Sequence, residues 1–276
     1  MLRILRHLRI LAASRKRFRK YLWYSLGEVI LVVIGILIAI QVNNWNESRI
    51  QQKQIHAFAR ALASDLRDDI GAVRVSAYQA RNVVYQIDEL VAYLQDRPFG
   101  SLSNVDLYRY LWSLDYRPFA FNRAALGPMK SAGALREVRN QELARKISEY
   151  EGLTLHLEED QASDSRNARD AYLATNKVIN RNFHGRAALH ETFTTASDAE
   201  RFRESFLEFP STELYRSMKR DDVGLVTTDM RDVQEMTNVL ISYRSDLWPR
   251  PDLELPELMS LAQELIDLIE TEYPEE

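Results

Sequence analysis

Apolar residues are concentrated in one unbroken run near the N-terminus. Residues 21–42 contain a single charged side chain, Glu28. A helix of about 20 apolar residues crosses the roughly 30 Å hydrocarbon core of a bilayer. Aromatic rings favour the headgroup region, and here Tyr21 and Trp23 lie at one end of the run and Trp45 just beyond the other. The pattern predicts one transmembrane helix over residues 21–42.

After this run, apolar residues recur every three or four positions in four stretches. The stretches cover residues 55–94, 143–179, 226–247 and 256–269. This is the period of a helix that buries one face, and no alternating run of strand length interrupts it. We therefore expect a mostly α protein, with one N-terminal transmembrane helix followed by an extracytoplasmic antiparallel helical bundle whose first helix is long.

The charge distribution adds an orientation to this picture. Residues 1–20 carry eight Lys or Arg and no acid, whereas residues 21–276 carry 28 basic and 40 acidic side chains, a net charge of −12. Because basic residues stay on the cytoplasmic side of a span, the N-terminus is expected inside. The predicted divisions are a basic cytoplasmic lead (1–20), the transmembrane helix (21–42) and an extracytoplasmic bundle (43–276).

In a bacterium with two membranes, this orientation predicts a single-pass protein of the inner (plasma) membrane with a periplasmic domain. A cleaved signal peptide is the alternative. The basic lead is long for a signal peptide, and no small-x-small cleavage site follows the apolar run. The sequence therefore favours an uncleaved signal anchor.

Glu28 lies inside the predicted span, where an ionisable side chain is costly and is a candidate functional group. At helical spacing it shares a face with Val32, Gly35 and Ala39. A small pair four residues apart, as in Gly35 and Ala39, allows close approach of another helix. These four residues predict a membrane interaction face, for a partner or for a second copy of the chain. The alternative is that Glu28 only snorkels or protonates near the headgroups.

A second candidate surface is the aromatic segment, defined here as residues 99–123. Rings and guanidinium groups alternate in it, and such mixtures are typical of interaction hot spots. The alternative is a helical hairpin whose rings fill the bundle core. The next segment predicts a helix end with Gly133 in the left-handed conformation. The residues assigned to a partner- or ligand-binding surface are Arg109, Tyr110, Trp112, Arg117, Phe119, Phe121, Lys130, Ser131 and Gly133.

Sequence motifs for chemistry are sparse. The chain has no Cys, which excludes disulfides, thiolate metal sites and a cysteine nucleophile. It contains no phosphate-binding glycine loop, nucleophile elbow or zinc-protease motif. His184 and His190 are six residues apart, a poor spacing for shared ligation, and the acidic group Asp65, Asp68 and Asp69 is expected to be a solvated helix face. We predict no metal, no cofactor, no nucleic-acid partner and no enzymatic activity.

One part of the sequence is similar to a known family. The residues from Lys20 to Glu47 resemble the N-terminal signature of a widespread bacterial family of single-pass membrane proteins of unknown function. The resemblance implies an anchored helical extracytoplasmic domain and no activity. It is carried by Lys20-Tyr21-Leu22, by the run from Gly27 to Ala39 and by Gln41 to Glu47, with a looser match in Lys130–Leu135, Asn140, Leu143, Ile147 and Tyr150.

The sequence thus predicts a membrane-anchored helical bundle that acts by protein–protein interaction at the membrane. The partner is expected to be a membrane or periplasmic protein. A sensor-like domain that binds a small ligand in the aromatic segment is the first alternative, and an unrecognised enzyme is the second.

Overall fold

The structure of the protein is a computed structural model. It describes residues 2–95, 97–111, 114, 119–138, 140–181, 204 and 206–274, and for residues 2–22 it describes the backbone alone. The chain divides into two compact units, Met1–Ala57 and Phe58–Glu276. The described residues are helical or irregular, and no strand occurs among them. The mostly α prediction is therefore confirmed.

Helix α1 runs from Leu2 to Leu94. Its first part forms the first unit, and its remainder belongs to the second unit. From residue 23 to residue 54 every side chain of this helix is exposed. α1 is long and apolar enough to cross a membrane near the N-terminus, and none of its most apolar window is buried. From residue 23 onward, the predicted span therefore coincides with a helix whose apolar side chains are exposed among the described residues.

The second unit contains the end of α1 and six further α-helices among the described residues. Three short 3₁₀ turns, at Phe99–Ser101, Ala134–Glu137 and Phe209–Ser211, lie between them. A π-helical turn occupies Arg250–Glu254. The helices are α2 (Asn104–Leu111), α3 (Leu126–Ser131), α4 (Gln141–Asn176), α5 (Glu213–Arg220), α6 (Met230–Leu247) and α7 (Leu255–Glu272).

Helices α6 and α7 form one rod along α4, joined by the π-helical turn. Side-chain contacts show that the rod is antiparallel to α4, because the partner number falls as the α4 number rises. Asn140 contacts Glu272, Asn167 contacts Asp246 at 3.0 Å, and Lys177 contacts Glu235 at 2.9 Å, in that order along α4. Two helices that were predicted separately therefore share a common direction.

Helix α1 runs antiparallel to the same rod. Its pairs with the rod are Arg67 with Glu270, Arg81 with Asp252, and Asp88 with Arg244. Since α1 and α4 are both antiparallel to the rod, they are parallel to each other. The rod of α6 and α7 is thus antiparallel to α1 and to α4, as expected for an antiparallel bundle. Helices α1 and α4 run in the same direction, so the chain must return between them, and residues 95–140 provide this connection.

Local signals account for the helix ends. The Asn140 side chain accepts hydrogen bonds from the backbone N–H groups of Glu142 and Leu143, which makes it the N-cap of α4. The Asp229 side chain caps α6 by accepting from the N–H of Arg231 at 2.8 Å. Helix α6 therefore begins at Met230 and not at Val226, whose N–H donates instead to the carbonyl of Val178.

One large apolar core cluster of the second unit is built mainly from the inner faces of α1, α2, α4 and α6. Ile87, Leu107 and Leu240 are among its side chains that are at least 99% buried. Such positions are close-packed, so the loss of a few methyl groups leaves a cavity.

We expect Leu240→Ala to destabilise the second unit by about 2–5 kcal/mol, because it removes a buried isobutyl group and leaves a void. Its neighbour Ile241 is 42% exposed, and Ile241→Ala provides the matched control, with a smaller expected loss. The measurement is urea unfolding of the full chain in mild detergent, followed by far-ultraviolet circular dichroism. Equal losses for the two variants would contradict the packing described here.

Candidate functional sites

Part of the aromatic segment is buried in the bundle. Helix α2 buries Tyr108 and Tyr110, and the Tyr110 ring contacts the rings of Tyr93 and Phe206 with centroids 5.4 and 5.8 Å apart. Phe119 is also buried and meets Phe121 edge-on at 4.5 Å. These rings occupy the positions expected from the core alternative. The candidates Trp112 and Arg117 lie outside the described residues.

Arg109 is partly buried and already engaged within the chain. Its guanidinium lies 4.6 Å from the Phe206 ring centroid and 5.3 Å from that of Tyr110. Nη2 also donates to the carbonyl oxygen of Phe206 at 3.1 Å. A cation held by two rings and a carbonyl is fixed in orientation. Arg109 therefore ties α2 to Phe206.

Asp106 is the centre of a polar cluster beside these rings. Its carboxylate accepts from Tyr93 Oη at 2.9 Å, from Lys219 Nζ at 2.7 Å and from Tyr215 Oη. Burial alone would raise the pKa of Asp106, but the hydrogen bonds from Lys219, Tyr215 and Tyr93 outweigh it and lower that pKa below its ordinary value. Burial and the Asp106 hydrogen bond raise the pKa of both tyrosines. The cluster joins α1, α2 and α5 with an ionised acid and neutral phenols.

The remaining candidates of this surface lie on and after α3. Lys130 is exposed and pairs with Glu151 of α4, and the exposed Ser131 donates to the carbonyl of Gly127 at 3.0 Å. Gly133 has φ +70°, which confirms the predicted left-handed helix end. These three residues stay close in sequence and space but do not join the buried rings of α2.

Asp69 is buried, although the sequence analysis placed it on a solvated helix face. Asp68 is exposed as expected, but Asp69 is only 3% exposed. Its carboxylate accepts from Tyr150 Oη at 2.7 Å and from the N–H of Asn122 at 2.9 Å. Asp65, one turn earlier, accepts from the N–H of Ala125 at 2.8 Å. The two acids hold the return connection against α1 and α4.

The environment of Asp69 shifts the pKa of its carboxyl group. Burial raises its pKa, the hydrogen bonds from Asn122 and Tyr150 lower it, and the nearby Asp65 and Asp68 raise it again. The net effect is a pKa above the ordinary value of 3.8. Burial and the bond to Asp69 also raise the pKa of Tyr150 far above the usual range, so that its hydroxyl remains the donor.

One group among the described residues has metal-ligand composition. His156, Asp160 and Glu254 place ligand atoms within 4.8 Å of one another. However, Arg250 Nη1 lies 3.3 Å from Asp160 Oδ2 and also pairs with Glu254. The guanidinium therefore occupies the two carboxylates that an ion would need. Arg250 also pairs with the buried Asp164 at 3.0 Å, so the group stabilises the π-helical turn. His184 and His190 lie outside the described residues.

The predicted membrane face is open within the chain. Glu28, Val32, Gly35 and Ala39 are all exposed on α1. A Cβ added at Gly35 would meet no atom within 4 Å. The four positions remain a predicted interaction face, and they are exposed among the residues that the structure describes.

Comparison with known proteins gives one match. Residues 28–95 match a family of unknown function, DUF6090. This confirms the resemblance to a family of unknown function. The matched range includes most of the predicted span and the part of α1 that follows it. The looser match between Lys130 and Tyr150 lies outside this range. No curated protein and no solved structure matches the chain. The match therefore supports the resemblance without adding an activity.

We expect Asp69→Asn to change how stability depends on pH. Because the pKa of Asp69 is raised in the folded state, its contribution to stability is present below pH 3.8 and is lost as the pH rises through the folded-state value. Asn keeps an acceptor for the Asn122 N–H but cannot ionise. The free energy of unfolding of the variant, relative to that of the natural chain, should therefore increase as the pH rises above 3.8.

The measurement is urea unfolding in mild detergent at several pH values. The exposed Asp68→Asn provides the control, and it should give a smaller change with pH. Identical pH dependence for Asp69→Asn and the natural chain would contradict a buried, destabilised carboxylate at this position.

Proposed function

We propose that this protein is a single-pass signal anchor with an extracytoplasmic helical domain, and that it acts, without enzymatic activity, by binding another protein at the membrane. The proposed location is a bacterial inner (plasma) membrane, with the N-terminus in the cytoplasm and the helical domain in the periplasm. The observation that carries the proposal is the apolar, wholly exposed section of α1.

Exposure of this apolar section of α1 to water is unfavourable. Residues 29–42 consist almost entirely of Val, Ile and Leu, and all of them are exposed within the chain. Covering such side chains contributes on the order of 10–20 kcal/mol in total. A bilayer provides this cover along the length of a helix and leaves the backbone hydrogen bonds intact. Residues 1–20 carry eight basic side chains and no acidic one, which supports a cytoplasmic N-terminus.

Protein binding through the span is supported by the contrast between the two candidate surfaces. In the aromatic segment, Tyr110 and Phe119 are buried and Arg109 is held by Phe206. On the span, Glu28 and its helical neighbours are exposed, and no packing among the described residues accounts for a charge at membrane depth. We therefore favour recognition of a membrane protein, or of a second copy, by the face that contains Glu28.

The absence of cysteine from the chain allows a direct test of the anchor. We expect Ser14→Cys and Ser245→Cys, introduced one at a time, to react with a membrane-impermeant maleimide from opposite sides. In intact cells with a permeabilised outer membrane, Ser245→Cys should be labelled and Ser14→Cys only after lysis. Both variants should remain in the membrane after carbonate extraction. Labelling of both in intact cells, or release by carbonate, would contradict the proposed topology.

A second test concerns the interaction face. We expect Glu28→Leu and Val32→Phe to reduce the recovery of partners, or of a second tagged copy, with the full chain purified in mild detergent. Leu removes the polar contact, and Phe blocks close approach at Gly35. The matched control is Val33→Phe, because Val33 follows Val32 but lies about 100° around the helix.

Recovery should fall at least about fivefold for the two face variants and stay within about twofold for Val33→Phe, the scale of a coupling near 1 kcal/mol. Equal recovery from all forms would refute recognition by this face. Loss with Val33→Phe as well would indicate a general disturbance of the helix and would also refute it.

A further inference from the structure

The densest basic cluster of the chain lies immediately before the apolar section. Arg15, Lys16, Arg17, Arg19 and Lys20 are five cations in six positions, and no acidic residue occurs before Glu28. The backbone of α1 is helical through the cluster and into the span without a break. The cluster is therefore part of the same continuous helix as the residues that the proposed function places in the membrane.

Helix geometry separates this cluster from the other basic residues of the lead. At 1.5 Å per residue, Arg15 to Lys20 lie within about 10 Å of Tyr21 along the axis, whereas Arg9 is about 18 Å away and Arg3 farther still. Electrostatic attraction to a charged surface falls off over a Debye length of about 8–10 Å at physiological salt. Only the cluster lies within that range of the start of the span.

We propose that the cluster from Arg15 to Lys20 is a binding site for anionic phospholipid headgroups of the cytoplasmic leaflet. This proposal rests on the proposed membrane anchor. Each Lys or Arg held near an anionic membrane surface contributes attraction, and several together select charged headgroups over zwitterionic ones. Arg also binds phosphate oxygens through two parallel N–H donors. Because the span fixes the cluster at headgroup depth, lipid phosphate is favoured over soluble polyanions such as RNA.

The test uses the full chain in mild-detergent micelles and measures retained lipid by native mass spectrometry. The probes are phosphatidylglycerol and phosphatidylcholine, titrated at low and at physiological salt. In micelles the orientation of the chain across a bilayer has no influence. We expect phosphatidylglycerol to bind at least about tenfold more tightly than phosphatidylcholine, with a preference that declines as salt increases.

Two triple variants form the matched comparison. Arg15→Gln, Arg17→Gln and Arg19→Gln together should weaken phosphatidylglycerol binding at least about tenfold. Arg3→Gln, Arg6→Gln and Arg9→Gln together remove the same charge farther from the span and should change it by less than about twofold. Equal binding of the two lipids, or equal loss in the two triple variants, would overturn the proposal.

A short single-stranded RNA is added as competitor. If RNA displaces phosphatidylglycerol at equal concentration and loses its own affinity in the Arg15, Arg17 and Arg19 variant, the cluster is a nucleic-acid site and the lipid proposal is wrong. Carbonate extraction of the same proteins separates this result from a failure of the anchor. A chain that stays embedded but shows no preference for phosphatidylglycerol refutes the lipid site alone, whereas a chain released by carbonate refutes the anchor.

Discussion

The architecture of the bundle depends on the charge pairing around Arg250. Two prolines, Pro249 and Pro251, interrupt the rod formed by α6 and α7, and proline normally ends or bends a helix because it lacks an N–H donor. Here the chain passes through a π-helical turn, a local widening that lets a helix continue. Arg250 holds one side of this turn through Asp164 on α4, and Arg81 of α1 holds the other by donating to the Pro251 carbonyl at 2.8 Å. Helix α1, helix α4 and the rod of α6 and α7 meet at this turn, which sets the direction of α7.

The polar clusters of the second unit follow the same principle. Asp69 with Tyr150, Asp106 with Tyr215 and Arg250 with Asp164 each join elements that are distant in sequence. A buried charge is tolerated when it is paired and hydrogen-bonded, and removing one partner is costly. These residues therefore stabilise the domain, and their chemistry is already used within the chain. In contrast, the apolar side chains of residues 23–42 are exposed.

Sequence periodicity identified the long helices because helical spacing is a local property. It placed α4 within a few residues, and the left-handed Gly133 was found from the small residues around it. It did not show that α6 and α7 are collinear, because the partners that support the proline-containing turn, Arg81 and Asp164, lie in other helices. Asp69 was placed on a solvated face for a similar reason. Its neighbours Asp65 and Asp68 make the local pattern polar, and its burial is caused by Tyr150, 81 residues later.

The contact between Arg67 and Glu270 bears on the order in which the domain is completed during synthesis. These residues are 203 positions apart, and the neighbouring contact of Asn140 with Glu272 likewise joins the start of α4 to the end of the chain. The ribosome must therefore deliver the chain as far as Glu272 before this end of the bundle closes. Until α7 emerges, the start of α4 lacks one of its packing partners and is more exposed to chaperones and proteases. A premature stop codon near Leu255 would leave the chain in that incomplete state, with the start of α4 open to degradation.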